Sequence, residues 1–168
     1  MLRDCGAEPD RDAGEGWESG RYQGPYLRDA LLDAGALAET PETATWWSAL
    51  PRLYDAVGAA LRESLTEQGS PPVVLCHISR VYRSGASLYD TVGAALLDDP
   101  LHQWRRAKAA ASEAIVAAGG TISHHLGIGA DHRDWYGREI GPLGVRMLRA
   151  VKAELDPGGI MNPGVLIP

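Results

Sequence analysis

The sequence predicts an α+β fold, a small antiparallel sheet with helices packed on one face, and three observations lead there. Apolar residues recur at helical spacing in several separate stretches, the period turns β-rich between Val73 and Val92, and Gly- and Pro-rich breaks divide the segments. The 168 residues are 45% apolar and carry a net charge of −6, with 22 acidic against 16 basic groups. A chain of this size buries roughly 70% of its unfolded surface, enough for a core without a metal or disulfide staple.

Residues 1–23, rich in Gly, Asp and Glu without apolar periodicity, read as a flexible lead-in to one domain over 24–168. Tyr26, Leu27, Ala30, Leu31 and Ala34 fit two turns of helix, which Gly35 closes, and Ala36 to Thr40 follow as a short strand. Trp47, Leu50, Leu53, Tyr54, Val57, Ala60 and Leu61 mark the next helix, with Thr43 or Thr45 as its cap and Pro51 as its start or a kink. Beyond Gly69-Ser70-Pro71-Pro72, the runs from Val73 to Tyr82 and from Ala86 to Val92 form a hairpin around Arg83-Ser84-Gly85. Alternation sets Leu88 and Val92 on one face of the second strand and Ser87, Tyr89 and Thr91 on the other.

Asp98-Asp99-Pro100 opens a helix with Leu101, Trp104, Ala111, Ile115 and Ala118 on one stripe, and Gly119-Gly120 ends it. A last helix runs from about Pro142 to Leu155, with Leu143, Met147, Leu148, Val151 and Leu155 facing inward.

Composition excludes several partners. The Arg residues are dispersed, with only Arg105-Arg106 adjacent, which argues against nucleic acid or an anionic membrane surface. No apolar run approaches the roughly 20 residues that cross a bilayer, and the acidic first 20 residues are no secretory signal, so the expected location is cytoplasmic. Cys5 carries no pattern, and Cys76 sits in an apolar run where a thiol behaves as a small buried hydrophobe.

Chemistry concentrates in 120–135, where His124, His125 and His132, three of the five histidines, stand among Gly120, Gly127 and Gly129. Imidazoles titrate near neutral pH, and glycine lets the backbone approach a ligand. Three rival accounts stand beside an acid–base site: histidines bonded to backbone carbonyls, a metal site using His124, His125, Asp131 and His132, and a phosphate-cradling loop. Against the metal, neighbours on an extended backbone point to opposite sides, and the i, i+4 spacing of a helical zinc site is missing.

Ser123-His124-His125-Leu126-Gly127-Ile128-Gly129, with His132 and Trp135 after it, and the terminal Asp156-Pro157-Gly158-Gly159-Ile160-Met161-Asn162-Pro163-Gly164 resemble the C-terminal region of FAD-linked oxidases of the vanillyl-alcohol-oxidase superfamily. Within that group the likeness is to the alkylglycerone-phosphate synthases (alkyldihydroxyacetonephosphate synthases) and their bacterial relatives. It extends over about 24–168, through Gly24 to Asp29, Glu39 to Trp47, and Ser87-Leu88-Tyr89.

The resemblance implies FAD as cofactor, Tyr89 as the catalytic tyrosine, His124 and His125 as catalytic histidines beside the flavin, Arg28 as a substrate-binding arginine, and Asn162 in the loop that approaches the flavin. Leu126 stands where the family has a third histidine, and the Gly-Glu-His-Gly of the 2-hydroxy-acid dehydrogenases is not matched either. The sequence contains no glycine-rich phosphate loop of the family's N-terminal FAD-binding domain. The chain is therefore expected to be the C-terminal substrate or cap domain alone, a fragment or split subunit whose partners are an FAD-binding domain or subunit and a small anionic or lipid-like substrate. The alternatives are a metal-dependent hydrolase using His124, His125 and His132, and a non-catalytic module docking an FAD-binding subunit.

Overall fold

The structure, a computed structural model, describes Asp4, Gly6 and residues 11–167, so Cys5 lies outside the described residues. The elements follow as α1 (Arg11–Gly20), α2 (Gly24–Asp33), β1 (Ala36–Glu39), β2 (Glu42–Trp46), α3 (Leu50–Glu67), β3 (Val73–Val81), β4 (Gly85–Ala95), α4 (Pro100–Ala117) and α5 (Arg133–Leu155).

The long strand β4 is the axis of an antiparallel sheet. β3 pairs along one of its edges, while β1 and β2 share the other in succession, from Ala36 opposite Ala95 to Trp46 opposite Gly85. Thr40 and Pro41 join β1 to β2, and the amide of Asp90 on β4 donates to the Pro41 carbonyl at 2.9 Å, so the ladder continues across the joint.

The helices α3 and α4 cover one face. Leu53, Val57, Leu61 and Leu65 of α3 and Ala107, Ala111 and Ile115 of α4 close over Leu37, Leu88 and Val92 of the sheet. The expected α+β architecture is what forms. Pro51 falls in the first turn of α3, where its missing N–H costs nothing, and Asp99 caps α4 by accepting from the His102 amide at 3.0 Å.

Four local expectations are corrected. Within the segment read as a flexible lead-in, Arg11–Gly20 forms a helix with an exposed surface, so no buried stripe announced it. Thr43 and Thr45 are not helix caps but lie in β2, which the sequence reading missed because so short a strand carries little periodicity. The final helix begins earlier, at Arg133, and bends at Gly141, whose φ of 69° and ψ of 175° only glycine adopts readily before Pro142 resumes the helix.

The fourth correction concerns the stripe on that helix. Leu143, Met147, Val151 and Leu155 are 55–76% exposed, not inward. Helical spacing establishes that a helix has an apolar side; it does not say that a partner lies within the same stretch of chain. Among the described residues, no helix is long and apolar enough to cross a membrane.

Candidate functional site

The chemistry-bearing residues meet on the sheet face away from α3 and α4. Leu88 and Val92 enter the core, so Tyr89 projects to the other side, level with Glu42 on β2 and His77 on β3. The rings of Tyr89 and His77 lie 5.4 Å apart, centroid to centroid.

A bulge in β3 supplies the next residues. Ile78 pairs with Leu88 and Arg80 with Ser87, which leaves Ser79 as the extra residue. One extra residue inverts the alternation. Strict alternation would place Tyr82 with Cys76 and Ile78 on the helix side; beyond the bulge it emerges on the side of the histidines. The Ser79 hydroxyl donates to Glu42 Oε1 at 3.0 Å and lies 2.7 Å from Ser87 Oγ.

The loop carrying the histidines is fastened at its start to β2 and α5. Thr121 donates its amide to Ala44 O at 2.9 Å and receives Thr43 Oγ1 on its own carbonyl at 2.6 Å, while the Ile122 amide donates to Glu139 Oε2 at 2.8 Å. His125 takes a left-handed conformation, φ 63°, and this decides the side-chain directions. The expectation that His124 and His125 diverge assumed extended backbone. Instead their rings stack at 3.9 Å.

Tyr82 Oη lies 3.0 Å from His124 Nε2 and 3.3 Å from His125 Nε2, and His124 Nδ1 lies 3.2 Å from Glu42 Oε1. The Glu42 and His124 side chains are only 8% and 13% exposed, whereas His125 faces solvent. A buried acid thus backs an inner imidazole, a phenol bridges to an outer imidazole, and the outer imidazole meets whatever approaches.

The metal cluster of His124, His125 and His132 is not assembled. His132 stands apart, its Nδ1 3.2 Å from the Ile128 carbonyl, with burial holding its imidazole below the usual histidine range. Asp131 pairs with Lys108 at 2.9 Å. Among the described residues the converging donors are Glu42, His124 and His125, and their facing atoms are already engaged by Tyr82, Ser79 and one another.

Tyr89 and Arg28 line one groove of about 500 Å³, together with Arg21, Leu27, Leu31 and Thr91. Among the described residues Arg28 has only a loose pairing with Asp29, at 3.9 Å. Glu39 and Thr40 border both this groove and a smaller pocket of about 200 Å³ lined by Glu42, Ser123 and Leu126, so the two open onto the same strand joint.

Asn162 lies in an exposed terminal turn with φ 45°. Asp156 shapes that turn by accepting from Lys152 Nζ and from the amides of Ile160 and Met161, and these donors hold its carboxyl below the usual range. The turn returns to the histidine loop, where the Leu166 amide donates to Gly129 O at 3.0 Å and Arg133 Nη1 to Gly164 O at 3.1 Å.

The sequence reading missed Glu42, Ser79 and Tyr82. Nothing in their spacing relates them to the histidines, because a bulge and a cross-strand register bring them together.

A sequence profile of FAD linked oxidases, C-terminal domain, matches residues 5–166. The chain belongs to this family. It is 35% identical over 146 residues to an alkyldihydroxyacetonephosphate synthase of Caenorhabditis elegans, covering 84% of this chain and 24% of that protein. It is 33% identical over 156 residues to one from Trypanosoma brucei brucei, covering 92% of this chain and 25% of the relative. A solved alkyldihydroxyacetonephosphate synthase superposes with a TM-score of 0.62 at 27% identity, over 89% of this chain and 24% of that one. The chain spans about a quarter of the length of these relatives. As an FAD-linked oxidase C-terminal domain it has FAD as its implied cofactor.

Proposed function

We propose that this domain is the substrate-side half of an FAD-dependent oxidoreductase or alkylglycerone-phosphate-synthase-like transferase, working against an FAD-binding domain on the same or another polypeptide. The observation that carries the reading is the groove that Arg28 and Tyr89 share. A guanidinium is always charged and forks onto phosphate or carboxylate, and Arg21 adds a second. Leu27 and Leu31 supply an apolar wall beside those charges. Together they suit a small anionic substrate with a lipid-like portion.

Tyr89 is the group assigned to the proton at the reacting carbon, and His124 and His125 are assigned to its acid–base support. When bound, FAD supplies an electrophilic ring that accepts a hydride or a carbon nucleophile. The donor chemistry here fits one edge of such a ring: His125 is exposed, and the turn that carries Asn162 is tied back to the histidine loop. The exposed stripe of Leu143, Met147, Val151 and Leu155 is the kind of surface a second domain covers.

The test joins the chain to an FAD-binding domain and compares turnover on a fatty-acyl phosphate ester and on a 2-hydroxy acid. Tyr89→Phe and His125→Ala are expected to lower turnover by about 10²–10⁴-fold with folding intact, the range for losing a general acid or base. Arg28→Ala should raise KM for the anionic substrate. Wild-type rates in both Tyr89→Phe and His125→Ala would overturn the proposal.

A further inference from the structure

The two histidines are coupled through a phenol to which the function proposed above gives no role. We propose that Tyr82 is a positioning residue that fixes the tautomer of His125 and relays its proton to the half-buried pair of His124 and Glu42; its catalytic value rests on the function proposed above. The direction of each hydrogen bond follows from donor and acceptor capacity. Glu42 Oε1 accepts from Ser79 Oγ and faces His124 Nδ1, so the Nδ1 of His124 carries the proton. In neutral His124 the other nitrogen, Nε2, is then an acceptor, and Tyr82 donates its hydroxyl proton to it across 3.0 Å. With that proton spent, the Tyr82 oxygen accepts from His125 Nε2–H at 3.3 Å. His125 is thereby held with hydrogen on Nε2, which leaves the lone pair of this exposed ring on Nδ1.

The same four groups can store a proton. When Tyr89 or a substrate O–H yields its proton to His125 Nδ1, the electron pair stays on the oxygen that gave it up. The Nε2 proton of His125 then passes to the Tyr82 oxygen, and the Tyr82 proton passes to His124 Nε2. His125 ends neutral with hydrogen on Nδ1, Tyr82 ends as a neutral phenol donating toward His125, and His124 ends as an imidazolium against the Glu42 carboxylate. One proton enters, and His125 and Tyr82 end neutral with the hydrogen bond between them reversed. The charge comes to rest on the ring that faces the Glu42 carboxylate instead of on the exposed one.

The bulge at Ser79 gives independent support. It turns Tyr82 out of the helix-side phase and also directs the Ser79 hydroxyl onto Glu42, so one local irregularity sets both ends of the relay. The edge-on contact of Tyr82 with His124, 5.8 Å between centroids, does not need the hydroxyl, so Tyr82→Phe removes the relay and spares the packing.

The experiment is nitrogen-15 NMR of the histidine side chains in the full chain, wild type against Tyr82→Phe. In the wild type the His125 signals should report a single neutral tautomer protonated at Nε2, and in Tyr82→Phe a mixture of both tautomers, with His124 still protonated at Nδ1. A mixed or Nδ1-protonated His125 in the wild type, or an unchanged tautomer in Tyr82→Phe, would overturn the relay. Chain assembled with an FAD-binding domain should lose at least tenfold in turnover on Tyr82→Phe. An inactive wild-type assembly would tell against the proposed function, whereas the NMR result decides the relay separately.

Discussion

Asp90 illustrates what one misplaced polar atom costs. It sits on the helix side of β4, 2% exposed, and among the described residues its Oδ2 has no hydrogen-bond partner. Burial pushes its carboxyl above the usual range; a hydrogen bond with Cys76 and the charge of Arg62 pull only partly back. The folded protein therefore prefers Asp90 neutral, and that contribution to stability is present below the ordinary carboxylate range and lost as pH rises through the raised value. Asp90→Asn removes the ionisation. It should melt a few degrees higher than wild type at pH 8, with the advantage shrinking toward pH 4, in paired calorimetric scans. The same surroundings, burial first and the Asp90 charge next, raise the Cys76 thiol to about 12, and the residue read from sequence as a small buried hydrophobe is half-buried in the fold.

At the scale of elements, the critical contact is between β2 and β4. A Cβ at Gly85 would stand 2.1 Å from the Thr45 carbonyl oxygen, which is backbone and cannot swing aside. Gly85→Ala should cost about 1–3 kcal/mol or more, the usual range for overpacking, and β2 should separate from β4 first. Because Thr121 hangs from Ala44 on β2, the amide of Thr121 should lose hydrogen-exchange protection together with the β2 amides. Unchanged protection there would show that the histidine loop does not depend on this strand. Gly120 is a second tight point, where a Cβ would meet Thr43 Oγ1 at 2.8 Å and Leu53 Cδ1 at 2.9 Å, and it explains why a Gly-Gly pair ends α4.

Across the whole molecule, the core is one-sided. α3 and α4 seal a single face of the sheet, while α5 lays Leu143, Met147, Val151 and Leu155 on the surface. Surface substitutions away from buried features change stability by about 0.5 kcal/mol or less. Met147→Lys with Val151→Lys should therefore leave the melting temperature of the chain nearly unchanged, while weakening its binding to an FAD-binding domain by at least tenfold in calorimetric titration. A large fall in melting temperature would mean that the stripe supports this domain's own fold.

The sequence alone determined the elements whose periodicity is local and long: α3, α4, the hairpin and the second half of α5. It also marked Tyr89, whose phase follows from simple alternation, and the family, whose Ser-His-His and Asp-Pro-Gly motifs are contiguous. Only tertiary structure decided the rest. Glu42 reaches His124 because β2 pairs with β4 in one register, Tyr82 faces the histidines because a single extra residue at Ser79 inverts the alternation, and His124 stacks on His125 because one residue turns left-handed. Each of these is a shift of one residue or one dihedral angle. Such shifts leave composition and hydrophobic pattern unaltered, so they become visible only once the strands have chosen their partners.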